Sequence, residues 1–219
     1  MSSIVTTITD FIVRVCAILV CNTFHELAHG LAAYKLGDNT AREQGRLSLS
    51  PMVHIDPIGL LCLFVAGIGW GKPVSVNPGR FRMKNKKLGL AITAAAGPLT
   101  NFLLAFLCLL IMHPVMIYFH NSYATALMDF LSSITLLSIG LGVFNLIPIP
   151  PLDGSKILML VMPNSVIQWV WRNEGYIRFG FLILVFFNRF TTLIMTGMYF
   201  VYSTMYGWVF ALYRLLGVG

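Results

Sequence analysis

Residues 22–37 read NTFHELAHGLAAYKLG, and the reading of the whole fold turns on them. His25, Glu26 and His29 form the pattern His-Glu-x-x-His. On a helix its two imidazoles lie one turn apart and point the same way. Such a pair can grip one zinc ion, with the glutamate close enough to act on a bound water. The flanking residues are nearly all apolar from Ile4 to Leu36, so a water-using motif lies in a segment suited to lipid. An ionisable residue inside a membrane span costs about 2.5–3.5 kcal/mol on insertion scales. Metal coordination in a buried cavity would recover that cost. The bland alternative is a polar helix face that happens to carry two histidines.

The rest of the chain is as apolar. Of 219 residues, 57% are hydrophobic and 11% charged, against about 25% charged in soluble domains. This excludes a soluble globular protein. It suits an all-α polytopic membrane protein of about five to six transmembrane helices with short loops. We expect one integral-membrane domain over residues 1–219, with a catalytic core at about 4–162 and C-terminal membrane segments at about 165–219. The long apolar regions are 4–36, 88–119, 126–149 continuing past a proline cluster to 162, and 177–218. The last suits one long span plus an interfacial helix, or two short spans. IGLLCLFVAGIGW (58–70) is short for a span and suits a re-entrant or interfacial segment. SVIQWVWRNEGYIRF (165–179) mixes Trp169, Trp171 and Tyr176 with Arg172, Glu174 and Arg178, a composition that anchors at headgroup level.

The net charge of +7 is concentrated, with Lys72, Arg80, Arg82, Lys84, Lys86 and Lys87 inside residues 72–87. The connection HNSYAT (120–125) carries no Lys or Arg. The positive-inside bias therefore puts residues 37–87 in the cytoplasm and 120–125 on the other side. The first span then runs inward, with His25 and His29 in its cytoplasmic half. The basic cluster suits anionic lipid headgroups. Nucleic acid is excluded as a partner, because no soluble basic domain accompanies the cluster. Cys16, Cys21, Cys62 and Cys108 lie in apolar runs without a C-x-x-C pair and read as small buried hydrophobes. The N-terminus lacks a basic n-region and a small-residue cleavage site, so it reads as a retained span.

A hydrolytic zinc site needs a third protein ligand and an open position. Asp38, Glu43, Asp56 and Glu174 sit in polar loops, and Asp10 and Asp129 near span ends. Asp153 alone is embedded in an apolar stretch of unusual backbone, GVFNLIPIPPLDGSKILML. Pro148, Pro150 and Pro151 remove three donors there. Broken backbone at membrane depth survives only beside protein or a water cavity. A kink, with Asp153 as a helix N-cap, is the plainer reading of these residues. Alongside the His-Glu pattern, a ligand role is the better one. In AAAGPLTNFLLA (94–105), Ala94 to Gly97 form a small face for close helix approach. Asn101 falls on the same face, suited equally to an interhelical hydrogen bond and to a substrate contact.

HELAH (25–29), GPLTN (97–101) and NLIPIPPLDG (145–154) coincide in order with the motifs of a known family. SPMVHIDPIG (50–59) and GWGKPVSVNP (69–78) agree with it too. The chain resembles the site-2 protease family of intramembrane zinc metalloproteases over roughly residues 20–160. The resemblance implies that His25, His29 and Asp153 bind one zinc, that Glu26 is the catalytic glutamate, and that three core spans enclose the site. Many members carry a PDZ or CBS domain, for which this chain has no room, so a minimal type is expected. No span is expected ahead of the His-Glu helix.

The expected activity is zinc-dependent endopeptidase cleavage in or near a transmembrane segment of another protein, as in regulated intramembrane proteolysis. The partners are then that substrate and the lipid bilayer, in a prokaryotic plasma membrane with the site towards the cytoplasm. Glu26 would take a proton from water and deliver it to the leaving amine. Asn145 is a candidate oxyanion donor, or else satisfies carbonyls that the prolines orphan. Val74 and Val76 alternate with polar residues in GKPVSVNPG (71–79), a strand-like pattern. Such a strand could hold an unwound substrate by its free edge, or be an ordinary hairpin. The alternative function is a non-proteolytic metal-binding protein or metal transporter. A transporter needs polar residues on both sides of the metal, and the outer half offers little beyond His113 and His120.

Overall fold

A computed structural model describes residues 2–59, 71–185 and 187–217, and the side chains among them except those of 2–7 and 188. The expected re-entrant stretch 58–70 lies outside the described residues from position 60 onward, as does Cys62.

Helix α1 (Ser2–Lys35) carries the His-Glu motif. It stops where Gly37 takes a positive φ of 105°, a backbone state that glycine adopts without strain. The Gly37 and Asp38 N–H groups then close back on the Tyr34 and Ala33 carbonyls at 3.0 Å each, the hydrogen-bond pattern of a glycine-terminated helix. A short turn, α2 (Thr40–Glu43), follows. Helix α3 (Lys86–Tyr118) starts where the Asn85 side chain accepts from the Leu88 N–H, and it runs through Pro98 and Pro114. Helix α4 (Ser122–Asn145) is capped in the same way by Asn121. The proline cluster then turns the chain into α5 (Asp153–Leu158). Three helices complete the described chain: α6 (Asn164–Arg172), α7 (Glu174–Val185) and α8 (Asn188–Leu215).

The arrangement is inside out relative to a soluble bundle. On α3 the small or polar residues Ala94, Gly97, Asn101 and Ala105 are buried. Leu99, Leu103, Leu107 and Ile111, four residues apart, are 46–62% exposed. A row of large apolar side chains facing outward finds its favourable surroundings in lipid, while the small face lets α1 and α4 pack close. Ala17, Cys21, Cys108, Leu131 and Ile134 form one core cluster between α1, α3 and α4. Ala105, Leu109, Ile139, Met205 and Val209 form another, which brings α8 onto α3 and α4. The chain is a multi-pass, all-α membrane protein.

Among the described residues fewer spans are found than the five to six expected. Among the described residues three helices are long and apolar enough to cross a membrane, and four if α7 and α8, bent by 80° to each other, form one broken span. The reason is length. Spans of about 20 residues suffice for a bilayer core, but α1 and α3 have 34 and 33. The regions 4–36 and 88–119 are thus each one extended helix, which tilt can accommodate. The C-terminal region resolves into the bent pair. Ahead of it α6 buries Ile167 and exposes Trp169 and Trp171, as an interfacial helix does. The strand-like reading of 71–79 is also reduced: among the described residues the segment makes one isolated antiparallel bridge, between Gly71 and Ile55. Its alternation survives in burial, with Val74 and Val76 half-buried between exposed neighbours. Of the described cysteines, Cys21 and Cys108 are buried as expected, while Cys16 is exposed.

Candidate metal centre

Three elements distant in sequence meet at one point. Helical spacing on α1 aims His25 and His29 at the same side, and the turn after the prolines aims Asp153 back at them. His25 Nε2 lies 3.2 Å and His29 Nε2 3.0 Å from Asp153 Oδ2. The two Nε2 atoms are 3.0 Å apart. All three residues are buried. Zinc–ligand bonds of about 2.0–2.1 Å at tetrahedral angles place donors roughly 3.3 Å apart. The triangle therefore fits one zinc ion with two imidazoles and one carboxylate oxygen.

Space for the rings comes from Gly97. A β-carbon there would lie 2.5 Å from His29 Nε2 and 2.7 Å from His25 Cε1. Space for Asp153 comes from Gly154, where a β-carbon would collide with the Leu146 and Ile147 backbone. The N-cap alternative for Asp153 is not observed. It is the first residue of α5, behind Leu152 as cap, and makes no capping bond. Its second oxygen, Oδ1, accepts instead from Lys156 Nζ at 2.9 Å.

Helix α3 braces both rings from behind. His29 Nδ1 donates to the Thr93 carbonyl at 2.7 Å. A carbonyl only accepts, so Nδ1 carries the proton and Nε2 keeps its lone pair for a metal. The Asn101 amide lies 3.1 Å from His25 Nδ1 and is fully buried. The partners run in opposite order along the two helices, so α1 and α3 are antiparallel here.

Glu26 stands beside the donor set, half-buried. Its Oε2 accepts the Val74 N–H at 2.7 Å, and among the described residues Oε1 has no hydrogen-bond partner. Val74 belongs to the extended segment 71–77, which is tied down along its length. The buried Arg46 donates through Nη2 to the Lys72 and Pro73 carbonyls at 2.8 and 2.9 Å. The Lys72 N–H reaches the His54 carbonyl at 2.9 Å. At the far end the Asn77 N–H reaches Asp38 Oδ2 at 2.6 Å. Burial pushes the Asp38 carboxyl up, but hydrogen bonds from Thr40 and Asn77 outweigh it and hold the group below its ordinary range. The main-chain N–H groups of Ser75 and Val76 make no hydrogen bond among the described residues.

Asn145 makes no hydrogen bond to this cluster among the described residues. Its Nδ2 donates to the Leu141 carbonyl one turn back, at 2.9 Å. Three contributors were not foreseen: the Thr93 carbonyl, Arg46 and Lys156. Only Lys156 left a trace in the sequence, as a cation three residues after a helical aspartate.

The family model described as Peptidase family M50 matches residues 110–187, a stretch that includes Asp153. A Bacillus subtilis protein named "Putative zinc metalloprotease YwhC" is 40% identical over 173 residues, which cover 78% of each chain. A Mycobacterium tuberculosis protein named "Putative zinc metalloprotease Rip2" is 32% identical over 152 residues, 66% of this chain and 55% of the relative. This chain thus spans most of the first relative and about half of the second. No solved structure is significantly similar to it.

Proposed function

Because this chain belongs to the site-2 protease family, peptidase family M50, and is a zinc metalloprotease, we propose that it cleaves other membrane proteins within or beside a transmembrane segment. The observation that carries this reading is the convergence of His25, His29 and Asp153 among helices whose outward faces suit lipid. A catalytic centre so placed is out of reach of most soluble chains but adjacent to any helix that packs against the bundle.

His25, His29 and Asp153 would hold the zinc, within a single catalytic domain. When bound, zinc supplies Lewis acidity, which makes water acidic enough to attack near neutral pH and draws charge from the scissile carbonyl. Glu26 takes the proton of the attacking water on Oε1, since the Val74 N–H fixes Oε2, and returns it to the leaving amine. A helical substrate hides its peptide bonds in internal hydrogen bonds, so it must unwind. The Ser75 and Val76 N–H groups, without partners among the described residues, suit an unwound segment. Asn145 gives one amide hydrogen to the Leu141 carbonyl, and the second is open to act as oxyanion donor. The Lys and Arg cluster of residues 72–87 supports a cytoplasmic site in a plasma membrane. A metal carrier is a poorer reading, because His113 stacks on Tyr213 at 4.3 Å instead of extending a polar path.

The test is purified protein in liposomes with a single-span substrate, with products mapped by mass spectrometry. Zinc-dependent cuts inside or within a few residues of the span are expected. Cleavage of soluble peptides alone would contradict the proposal.

A further inference from the structure

The two histidines are braced differently. His29 faces a carbonyl, which can only accept. His25 faces an amide, which can accept or donate. As the side chain stands, Asn101 Nδ2 points at His25 Nδ1, 3.1 Å away. A donor there makes Nδ1 the acceptor and puts the ring proton on Nε2, the atom that faces His29 and Asp153. That arrangement satisfies the ring without a metal, because Nε2–H can donate to Asp153 Oδ2. It also blocks the lone pair that a metal needs. The same amide leaves its Oδ1 buried without a partner. Turning the amide half a revolution therefore forfeits nothing on the oxygen side, and Nδ1–H to Oδ1 replaces Nδ2–H to Nδ1.

We propose that Asn101 is the positioning residue of His25 in the loaded enzyme: its side-chain oxygen accepts the Nδ1–H and frees Nε2 for the metal, while its amino group serves the metal-free state. An amide at this place lets His25 be hydrogen-bonded in either tautomer. This rests on the reading of His25, His29 and Asp153 as the metal set, and it goes beyond that reading by assigning a role to a residue that touches neither metal nor substrate.

The inference predicts an order of zinc affinity, measured by competition with a chromophoric chelator on purified protein. Asn101→Leu keeps the bulk but offers no acceptor, so binding weakens about 10–100-fold, the usual cost of losing a ligand's outer partner. Asn101→Asp offers only acceptors and binds at least as tightly as wild type. Wild-type protein labelled with 15N-histidine supplies a readout that needs no variant at this site. Single substitution of His54, His113 and His120 identifies their ring signals, and through-bond correlation to the assigned backbone separates the remaining two, His25 and His29. His25 Nδ1 should carry the proton in the zinc-loaded form. The inference is overturned if Asn101→Leu binds zinc like wild type, if Asn101→Asp is as weak as Asn101→Leu, or if Nδ1 of loaded His25 is unprotonated. Wild type that takes up zinc while failing any of these loses the role of Asn101 alone. Wild type that takes up none loses the metal set with it.

Discussion

His25 and Glu26 are neighbours in the chain, yet the molecule holds them by different means. The proposed metal set rests on helices: α1 supplies two candidate donors, α5 the third, and α3 braces the rings with Thr93 and Asn101. Glu26 depends on an extended segment, through the Val74 N–H, and that segment is itself tied to Arg46 and Asp38. The difference divides labour. A metal set needs donors fixed to fractions of an ångström, which packed helices provide. A proton carrier beside an incoming substrate needs an open oxygen and a neighbour that can yield. Damage to the helical half should remove zinc, and damage to the strap should spare zinc and slow turnover.

The largest effect is expected at Asp153→Ala. Two imidazoles make an incomplete site, so both zinc and turnover should fall below detection, as read by metal analysis and a cleavage assay. Full zinc occupancy would detach Asp153 from the helical half. Gly97→Ala comes next. Its β-carbon would meet both rings, at a cost of about 1–3 kcal/mol for overpacking. Zinc per chain should drop together with thermal stability.

On the strap side, Arg46→Met leaves two carbonyls without their buried donor. The segment should loosen and Glu26 lose its orientation, with turnover down about 10–100-fold, the scale of small misplacements. Zinc should stay at one per chain. Loss of zinc here would erase the distinction between the two halves.

Asp38→Asn should be mildest, and its signature is pH. The carboxyl is held low in the folded protein, whereas an unfolded aspartate titrates near about 3.9. The stabilisation is therefore complete above about 3.9 and fades as pH falls through the lower folded value. Melting temperatures of wild type and Asp38→Asn should differ by a constant amount from about pH 7 to 5 and converge below about 4. A gap that widens on acidification would contradict the assignment.

The helical half was far more legible in the sequence than the strap. His25, His29, Gly97 and Asn101 recur at helical spacing, and Asp153 follows prolines that only a sheltered turn can hold. Spacing of this kind survives folding because a helix converts it directly into a shared face. The strap has no such period. Its anchors are main-chain groups of Lys72, Pro73 and Val74, and main-chain groups carry no residue identity to read. Arg46 resembled any loop cation, since nothing local marks it as buried. The Thr93 carbonyl was invisible for the same reason. Among the described residues fewer spans appear than composition suggested, because α1 and α3 each spend over 30 residues on one helix where about 20 suffice.

The division between holding metal and moving protons is tested most directly by zinc content and turnover measured on one preparation of Glu26→Gln. Gln keeps the shape and can still accept the Val74 N–H, but it cannot take the proton. The account predicts one zinc per chain, as in wild type, with no detectable cleavage of a transmembrane substrate. Retained cleavage would remove Glu26 as the proton carrier, and loss of zinc would place it in the metal set.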